Sequence, residues 1–162
     1  MEVDAFIADH VAVAEGKLYA NGGGWDRSVS ALFPAVLKVG LGVLIKVPWT
    51  ATNETHLLEI HLEDPDGNVL PLADAPPGAP TESHDGKFRR IKAQFTIGRP
   101  AQATPGDEQT IAMAVMLDPL SIETPGRKSI ILQIDGTPMK RLTFTVDQAP
   151  QIQVLGQPPV AQ

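Results

Sequence analysis

The 162-residue sequence contains no cysteine. This absence excludes disulfide scaffolds, thiolate metal sites and cysteine nucleophiles together. A chain of this length does not need disulfides for stability, because a domain of about 150 residues buries roughly 70% of the surface of its unfolded chain. The absence is compatible both with the cytosol and with an extracellular particle.

Long hydrophobic runs are also missing. The longest apolar stretch, residues 36–47, is interrupted by Lys38 and Lys46 and is too short to span a bilayer. Residues 1–4 are acidic in character and do not lead into the apolar core of a secretory signal. The sequence therefore predicts a protein that is made in the cytoplasm and has no membrane anchor.

Basic residues are too few for a nucleic-acid-binding surface. Thirteen Lys and Arg stand against nineteen Asp and Glu, which gives a formal net charge of −6 at pH 7. Strand alternation would split the one basic cluster, residues 87–92, between two faces, so it would contact a phosphate backbone poorly. Neither a nucleic-acid partner nor a membrane partner is predicted.

Helical periodicity is absent as well, since no window of about eleven residues repeats its apolar positions at helical spacing. Between residues 55 and 147, short runs alternate apolar and polar residues and are separated by turns rich in Gly, Asp and Pro. Leu58, Ile60 and Leu62 illustrate one such run, which a turn at residues 64–68 ends. Alternation of this kind builds sheets with one buried and one solvated side.

These runs predict an all-β fold, a two-sheet antiparallel β-sandwich of the immunoglobulin-like or jelly-roll kind with eight or nine strands. Any helix is expected to be a single short turn, within residues 26–34 or 118–124. Residues 1–147 are expected to form the sandwich domain. Residues 148–162 carry no charged side chain and three prolines, which is typical of an extended C-terminal arm.

The first strand is expected over residues 3–13, returning as residues 17–20 in a hairpin. Asp9 is the one polar residue on the apolar face of that strand, so it should lie near an edge or have a partner. Gly40 and Gly42 fall inside the strand predicted over residues 36–47. Glycines inside a strand favour close approach of other atoms to the backbone.

The first 70 or so residues contain a distinctive series of short motifs. They are Val3-Asp4-Ala5-Phe6, Ala8-Asp9, Gly16-Lys17-Leu18-Tyr19, Gly23-Gly24-Trp25-Asp26-Arg27, Phe33-Pro34, Val47-Pro48-Trp49, Asn53, His56, Leu62-Glu63-Asp64 and Asp66-Gly67. In these motifs the sequence resembles a family of small uncharacterised actinobacterial proteins that is also found in actinobacteriophage genomes. The resemblance implies an all-β fold without assigned catalytic residues, and it raises a virion role as a hypothesis.

Two tryptophans are candidate binding residues. Trp25 beside Arg27 would suit a binding edge, although a tryptophan more often acts as a partly buried anchor. A carbohydrate- or small-ligand-binding sandwich is the alternative function, and it would use Trp25, Trp49 and the Pro-rich loop at residues 73–86.

A metal-dependent hydrolase is a weaker alternative. Glu59, His61 and Glu63 share one strand face and would frame a metal if a distant residue supplied a further ligand. A solvated strand face explains the same pattern more simply. Residues 64–68 resemble the start of a calcium loop, but the glutamate required at its twelfth position is missing, so a hairpin turn is predicted.

The arm contains the most suggestive apolar segment, with Ile152, Val154 and Leu155 as candidate binding residues. Such a segment can add a strand to the exposed sheet edge of a neighbour. The leading hypothesis is therefore a non-enzymatic structural or protein-interaction sandwich, acting through a protein partner or self-assembly. It would be a subunit or decoration of a larger assembly, such as a phage virion. No catalytic residue, metal or cofactor is predicted.

Overall fold

A computed structural model describes residues 1–75 and 85–150 as an all-β protein. Its strands are β1 (Glu2–Ala8), β2 (His10–Ala14), β3 (Lys17–Asn21), β4 (Arg27–Ser30), β5 (Ala35–Val47), β6 (Thr55–Glu63), β7 (Val69–Leu70), β8 (Ala73–Asp74), β9 (Lys87–Phe88), β10 (Arg90–Thr96), β11 (Gln109–Ile122), β12 (Gly126–Ile134) and β13 (Thr137–Gln148). A 3₁₀ turn, Trp49–Ala51, is the single helical element in these two ranges. No helix there has the length and apolar character needed to cross a membrane.

The strands form two main sheets. The small sheet has the strand order β1–β5–β11, and the large sheet has the order β10–β6–β12–β13–β4, with β7 added at the end of β6. Every neighbouring pair is antiparallel except β4 and β13, which run parallel. Two short hairpins, β2–β3 and β8–β9, complete the fold. The predicted two-sheet, all-β architecture is confirmed, with one parallel pair that the sequence did not indicate.

The core lies between the two sheets. Strand β5 contributes every second side chain from Val39 to Val47, and these are fully buried. Leu58, Ile60 and Leu62 of β6 face them with 1%, 0% and 0% of their surface exposed. Side chains at alternate positions of β12 and β13 continue the same layer. Alternation in the sequence thus identified the buried face of the longest strands.

The strand boundaries differ from the sequence predictions in three places. The described residues form thirteen strands rather than eight or nine, because several are short. The strand predicted over residues 3–13 is interrupted at Asp9, so β1 pairs with β5 whereas β2 pairs with β3. Strand β11 continues through residues 118–122 across a register shift, and the predicted helical turns at 26–34 and 118–124 are wrong.

Gly42 of β5 explains why this strand contains glycine. Its cross-strand partner is Phe6 of β1, and a Cβ atom added to Gly42 would lie 2.5 Å from Phe6 Cζ. The Phe6 ring therefore lies directly over the backbone of the central strand of the small sheet. The close approach predicted from the strand glycines is confirmed at this position.

Substituting Gly42→Ala should lower the free energy of unfolding by about 1–3 kcal/mol, because the new methyl group overlaps the Phe6 ring and overpacks the sheet. Chemical denaturation measures the loss. In a Phe6→Ala background the same substitution should cost much less, since the overlapping ring is gone. An equal cost in both backgrounds would show that the penalty does not come from Phe6.

Candidate functional site

The two sheets are open along one side, where β10 and β11 are edge strands. Strand β10 pairs with β6 alone and β11 pairs with β5 alone within residues 1–75 and 85–150. Each strand therefore directs one row of backbone N–H and C=O groups away from its sheet. Such rows are a template for pairing with another strand.

A cleft runs between these two edges, and we call it the β10–β11 cleft. Its apolar half encloses about 450 Å³. The side chains that line this half are all hydrophobic: Val13, Leu58, Ile60, Ile91, Ala93, Ala112, Met113, Ala114 and Val115. The small alanines on both edges leave the gap between the sheets accessible from outside. An apolar side chain entering here would be removed from water on two sides.

The charged half of the β10–β11 cleft adjoins the apolar half at Ile91 and encloses about 580 Å³. Leu72, which is 3% exposed, and Leu117, which is 5% exposed, contribute to its apolar wall. Its rim is charged and includes Lys87, whose Nζ lies 3.9 Å from Glu123 Oε1. This half is large enough for a small ligand or for one end of a bound peptide.

The two edges differ in charge. Strand β10 carries Arg90 and Lys92, and lysine on an edge strand is a common protection against unwanted pairing. Strand β11 has no charged residue from Gln109 to Leu117. The β11 edge is therefore the better acceptor for an uncharged strand.

Trp25 packs as an anchor in the described structure. Its ring meets Phe144 edge to face, with centroids 6.0 Å apart, and its Nε1 is buried without a hydrogen-bond partner among the described residues. Arg27, two residues on, donates a hydrogen bond to the Asp147 carboxylate. These contacts attach β4 to β13 and leave the indole face only half exposed.

Trp49 is held by a different set of contacts. The Arg99 guanidinium lies 4.3 Å from the centre of the Trp49 ring, and Arg99 Nη2 donates to the Trp49 carbonyl at 3.0 Å. Thr52 Oγ1 accepts a further hydrogen bond from Arg99 Nε at 2.6 Å. The cation–π contact occupies one face of the indole.

The two tryptophans do not form one site. Trp25 packs near Phe144, whereas the Trp49 turn is tied through His56 to Asp135 in the turn before β13. Phe144 is seven residues of extended strand beyond Thr137, the first residue of β13, which corresponds to roughly 23 Å. A single small ligand cannot contact both indoles.

The three residues considered for a metal site, Glu59, His61 and Glu63, lie on the outer face of the large sheet. Glu59 Oε1 is 3.5 Å from Lys92 Nζ, and Glu63 Oε2 accepts a hydrogen bond from Arg141 at 3.0 Å. His61 Nε2 lies 3.0 Å from Glu63 Oε1, while His61 Nδ1 is buried without a partner in the described ranges. No group of three or more His, Asp and Glu side chains in those ranges is arranged to hold a metal ion.

The turn at residues 64–68 is a hairpin turn, as predicted, between β6 and β7. Asp64 Oδ1 accepts the backbone N–H groups of Asp66 and Asn68, each at 2.9 Å. Gly67 adopts a left-handed conformation with φ of 85°. The Asp64 carboxylate is therefore used in forming the turn.

Several predicted site residues fall outside the described part of the chain. Ile152, Val154 and Leu155 of the arm belong to residues 151–162, and most of the Pro-rich loop belongs to residues 76–84. Gln148, predicted to begin the arm, is the last residue of β13, and the Ala149 N–H donates to the Ser30 carbonyl at 2.8 Å.

Sequence reasoning missed a partly buried ion pair between His56, whose side chain is 7% exposed, and Asp135, whose side chain is 48% exposed and which lies 79 residues further along the chain. His56 Nδ1 donates to Asp135 Oδ2 at 2.7 Å, and Nε2 donates to the Ala51 carbonyl at 2.9 Å. Burial lowers the pKa of His56, but the hydrogen bonds to Ala51 and Asp135 outweigh it and leave that pKa raised. The Leu57 N–H, followed by His56, holds the pKa of Asp135 below its ordinary value.

Because both ring nitrogens of His56 face groups that only accept hydrogen bonds, the geometry suits the protonated imidazole. The pair joins the Trp49–Ala51 turn and β6 to the β12–β13 turn. All of its hydrogen-bond partners belong to this chain, so the pair holds these elements together as a structural clamp.

The model of DUF6941, described as a family of unknown function, matches residues 3–147. No curated protein sequence matches the chain. Among solved structures, it is similar to a β-glucosidase from Listeria innocua in complex with glucose, with 9% identity and a TM-score of 0.36 over 90% of this chain. The chain spans 16% of that enzyme's length, and this weak likeness carries no argument about fold or function.

Proposed function

We propose, for a chain that belongs to the DUF6941 family of unknown function, that it is a non-enzymatic protein-interaction domain. In this proposal the β10–β11 cleft receives an extended segment of a protein partner. The segment adds a strand to the β11 edge and inserts apolar side chains between the sheets. Backbone hydrogen bonds provide affinity, and the cleft selects alternate side chains.

The observation that supports this proposal most strongly is the combination of an uncharged edge strand with an apolar cleft beside it. Natural sheets protect their edges with charge, short strands or coverage. Strand β11 is 14 residues long, and its Gln109–Leu117 part has none of the charged protection that Lys92 gives to β10. The β2–β3 hairpin packs against β11 but forms no strand pairing with it, so the outer backbone row of β11 has no strand partner within the described ranges.

The state of the polar residues favours binding over catalysis. The carboxylates of Glu59 and Glu63 are paired with Lys92 and Arg141, respectively. Both nitrogens of His56 are engaged in structural hydrogen bonds. A general base or nucleophile needs a reactive atom that can reach substrate, which these contacts do not provide.

A role as a subunit or decoration of a larger assembly extends the proposal. The motifs in the first 70 or so residues resemble proteins that are also encoded by actinobacteriophages, which makes a virion one assembly to test. We expect capsid or tail genes beside the gene for this chain. A neighbourhood of metabolic genes would count against the virion role and leave strand binding to be tested separately.

Strand binding can be tested without a known partner by selecting short random peptides displayed on a surface. Selection against the full chain should enrich extended peptides with apolar residues at alternate positions. Their affinity should fall at least about tenfold for Ala93→Arg, because the arginine side chain enters the apolar half of the cleft. Gln94→Arg is the matched control. Gln94 is next to Ala93 on β10, but its side chain is exposed and does not line the cleft, so affinity should be retained.

Thermal melts must show that both variants fold, since a charged residue at a half-buried position can destabilise a sheet. A selection that enriches nothing, or peptides that bind both folded variants equally, would contradict strand binding in this cleft.

Small-ligand binding is a second candidate function, favoured by the size of the charged half of the cleft. Its volume of about 580 Å³ falls in the usual range for ligand sites. Its lining includes Asp74, which belongs to the Pro-rich loop at residues 73–86, and Lys87, which directly follows that loop. A ligand array should then give hits that Leu72→Arg abolishes and Trp25→Ala spares.

A further inference from the structure

We infer that residues 151–155 of one copy form the strand that adds to the β11 edge of a second copy, joining copies head to tail. We call these residues the donor segment. The inference rests on the proposed function and specifies its partner as another molecule of the same chain.

The donor segment has the side-chain pattern that the cleft requires. In an extended strand, Ile152 and Val154 point to one side and Gln151 and Gln153 to the other. With Ile152 and Val154 directed into the apolar half of the cleft, the two glutamines lie outward. There they would neighbour Ala112 and Ala114, which lie at the rim of the cleft and alternate with the core-packed Met113 and Val115.

Charge also matches the donor segment to β11. Residues 148–162 have no charged side chain, and neither has the Gln109–Leu117 part of β11. In a chain with a net charge of −6, two uncharged segments can approach each other without repulsion between like charges. Strand β10 offers a less suitable edge because it carries two basic residues.

The position of the last described residues places Ile152 out of reach of the apolar half of its own cleft. Ile60, in the cleft, lies level with Leu132 of β12, which pairs with Lys140 of β13. Ala149 is nine residues beyond Lys140, so it lies about 30 Å further along the strand direction. Ile152 is three residues beyond Ala149 and can reach only about 10 Å from it.

Docking of the donor segment must therefore occur between copies. The interaction is heterologous, since the tail of one copy meets the cleft of the next. Each copy keeps one tail and one cleft available, which produces a ring if the rotation closes and a filament if it does not. This fits a protein that functions as a subunit of a larger assembly.

Sedimentation velocity over a range of concentrations tests the inference with the full chain. The full chain should self-associate, and removal of residues 151–162 should leave a monomer whose thermal melt is unchanged. The double variant Ile152→Glu/Val154→Glu should weaken association at least about tenfold, because a carboxylate in the apolar cleft is not solvated. The matched control Gln151→Glu/Gln153→Glu adds the same charges to the outward face and should retain association.

The absence of native cysteine allows a direct test of the contact. One chain carries Gln151→Cys or Gln153→Cys, and a second chain lacking residues 151–162 carries Ala112→Cys or Ala114→Cys. At least one combination should form a disulfide between the two chains under mild oxidation, since paired strands bring Cβ atoms within bonding range. Gln94→Cys on β10 is the control acceptor and should not be trapped.

Three outcomes would overturn the inference: a monomeric full chain at high concentration, equal association of the two glutamate double variants, or preferential trapping at Gln94→Cys. A synthetic peptide of residues 148–162 separates these failures from failure of the proposed function. If selected peptides bind the cleft but this peptide does not, the partner is a different protein and strand binding stands. If neither binds, the proposed function fails as well.

Discussion

Replacing His56 with alanine should lower the free energy of unfolding by about 2 kcal/mol at mildly acidic pH. The substitution leaves the Asp135 carboxylate and the Ala51 carbonyl without their shared donor, and it removes a ring that packs 5.5 Å from Phe95. In a chain of this size that loss corresponds to a fall in melting temperature of roughly 4–8 °C. Denaturation at equilibrium measures it directly.

The loss should depend on pH in a defined direction. The raised pKa of His56 means that its contribution is complete below about pH 6.5, its ordinary value, and is lost as pH rises through the folded value. The lowered pKa of Asp135 means that its contribution is present above about pH 3.8 and is lost as pH falls through its folded value. The free energies of unfolding of His56→Ala and of the wild type should therefore differ most between about pH 4 and 6.5. The difference should become smaller towards higher pH.

Asp135→Asn is the matched control, because the asparagine oxygen can still accept the Leu57 N–H while the charge is removed. It should cost less than His56→Ala and should flatten the pH dependence. A His56→Ala penalty that stays constant from mildly acidic to alkaline pH would show that an ion pair does not stabilise this region.

Phe144→Ala should destabilise the protein by about 3–5 kcal/mol. Phe144 is 1% exposed and is among the largest fully buried side chains, and its ring is the edge-to-face partner of Trp25. Its removal leaves a cavity beneath β13 and loosens the attachment of β4, so the fluorescence of Trp25 should shift to longer wavelength. Denaturant titration followed by fluorescence measures both effects.

Phe144→Leu is the control, since it keeps most of the buried volume, and should cost about 1.5 kcal/mol or less. A small cost for Phe144→Ala with an unchanged Trp25 emission would mean that the indole does not depend on the core for its position. The binding-edge hypothesis for Trp25 would then gain support over the anchor role.

The sequence predicted the strands that bury one face, because burial imposes alternation on every residue of such a strand. Ile60 and Leu132 illustrate this, since both are fully buried at positions where alternation places them inward. Strand β4 could not be predicted in the same way. Its four residues are too few to show a period, and its parallel pairing with β13 depends on a partner far away in the sequence.

The candidate site was less predictable than the fold. In the sequence, nothing distinguishes Ala93 and Ala114 from other strand residues. Only the strand order shows that β10 and β11 are both edge strands. The clamp between His56 and Asp135 was hidden for a similar reason, because a turn aspartate has an obvious local role. The arm stays a prediction from composition, because residues 151–162 lie outside the described part of the chain.

One measurement tests strand addition most directly: NMR of the isotope-labelled chain lacking residues 151–162, titrated with an unlabelled peptide of residues 148–162 or with the best selected peptide. We predict shift changes concentrated in β11 from Gln109 to Leu117 and in Ala93, with cross-strand contacts between peptide and β11 backbone protons. Shift changes centred instead on His61 and the outer face of the large sheet, or on Trp25, would contradict the assignment of the β10–β11 cleft as the functional site.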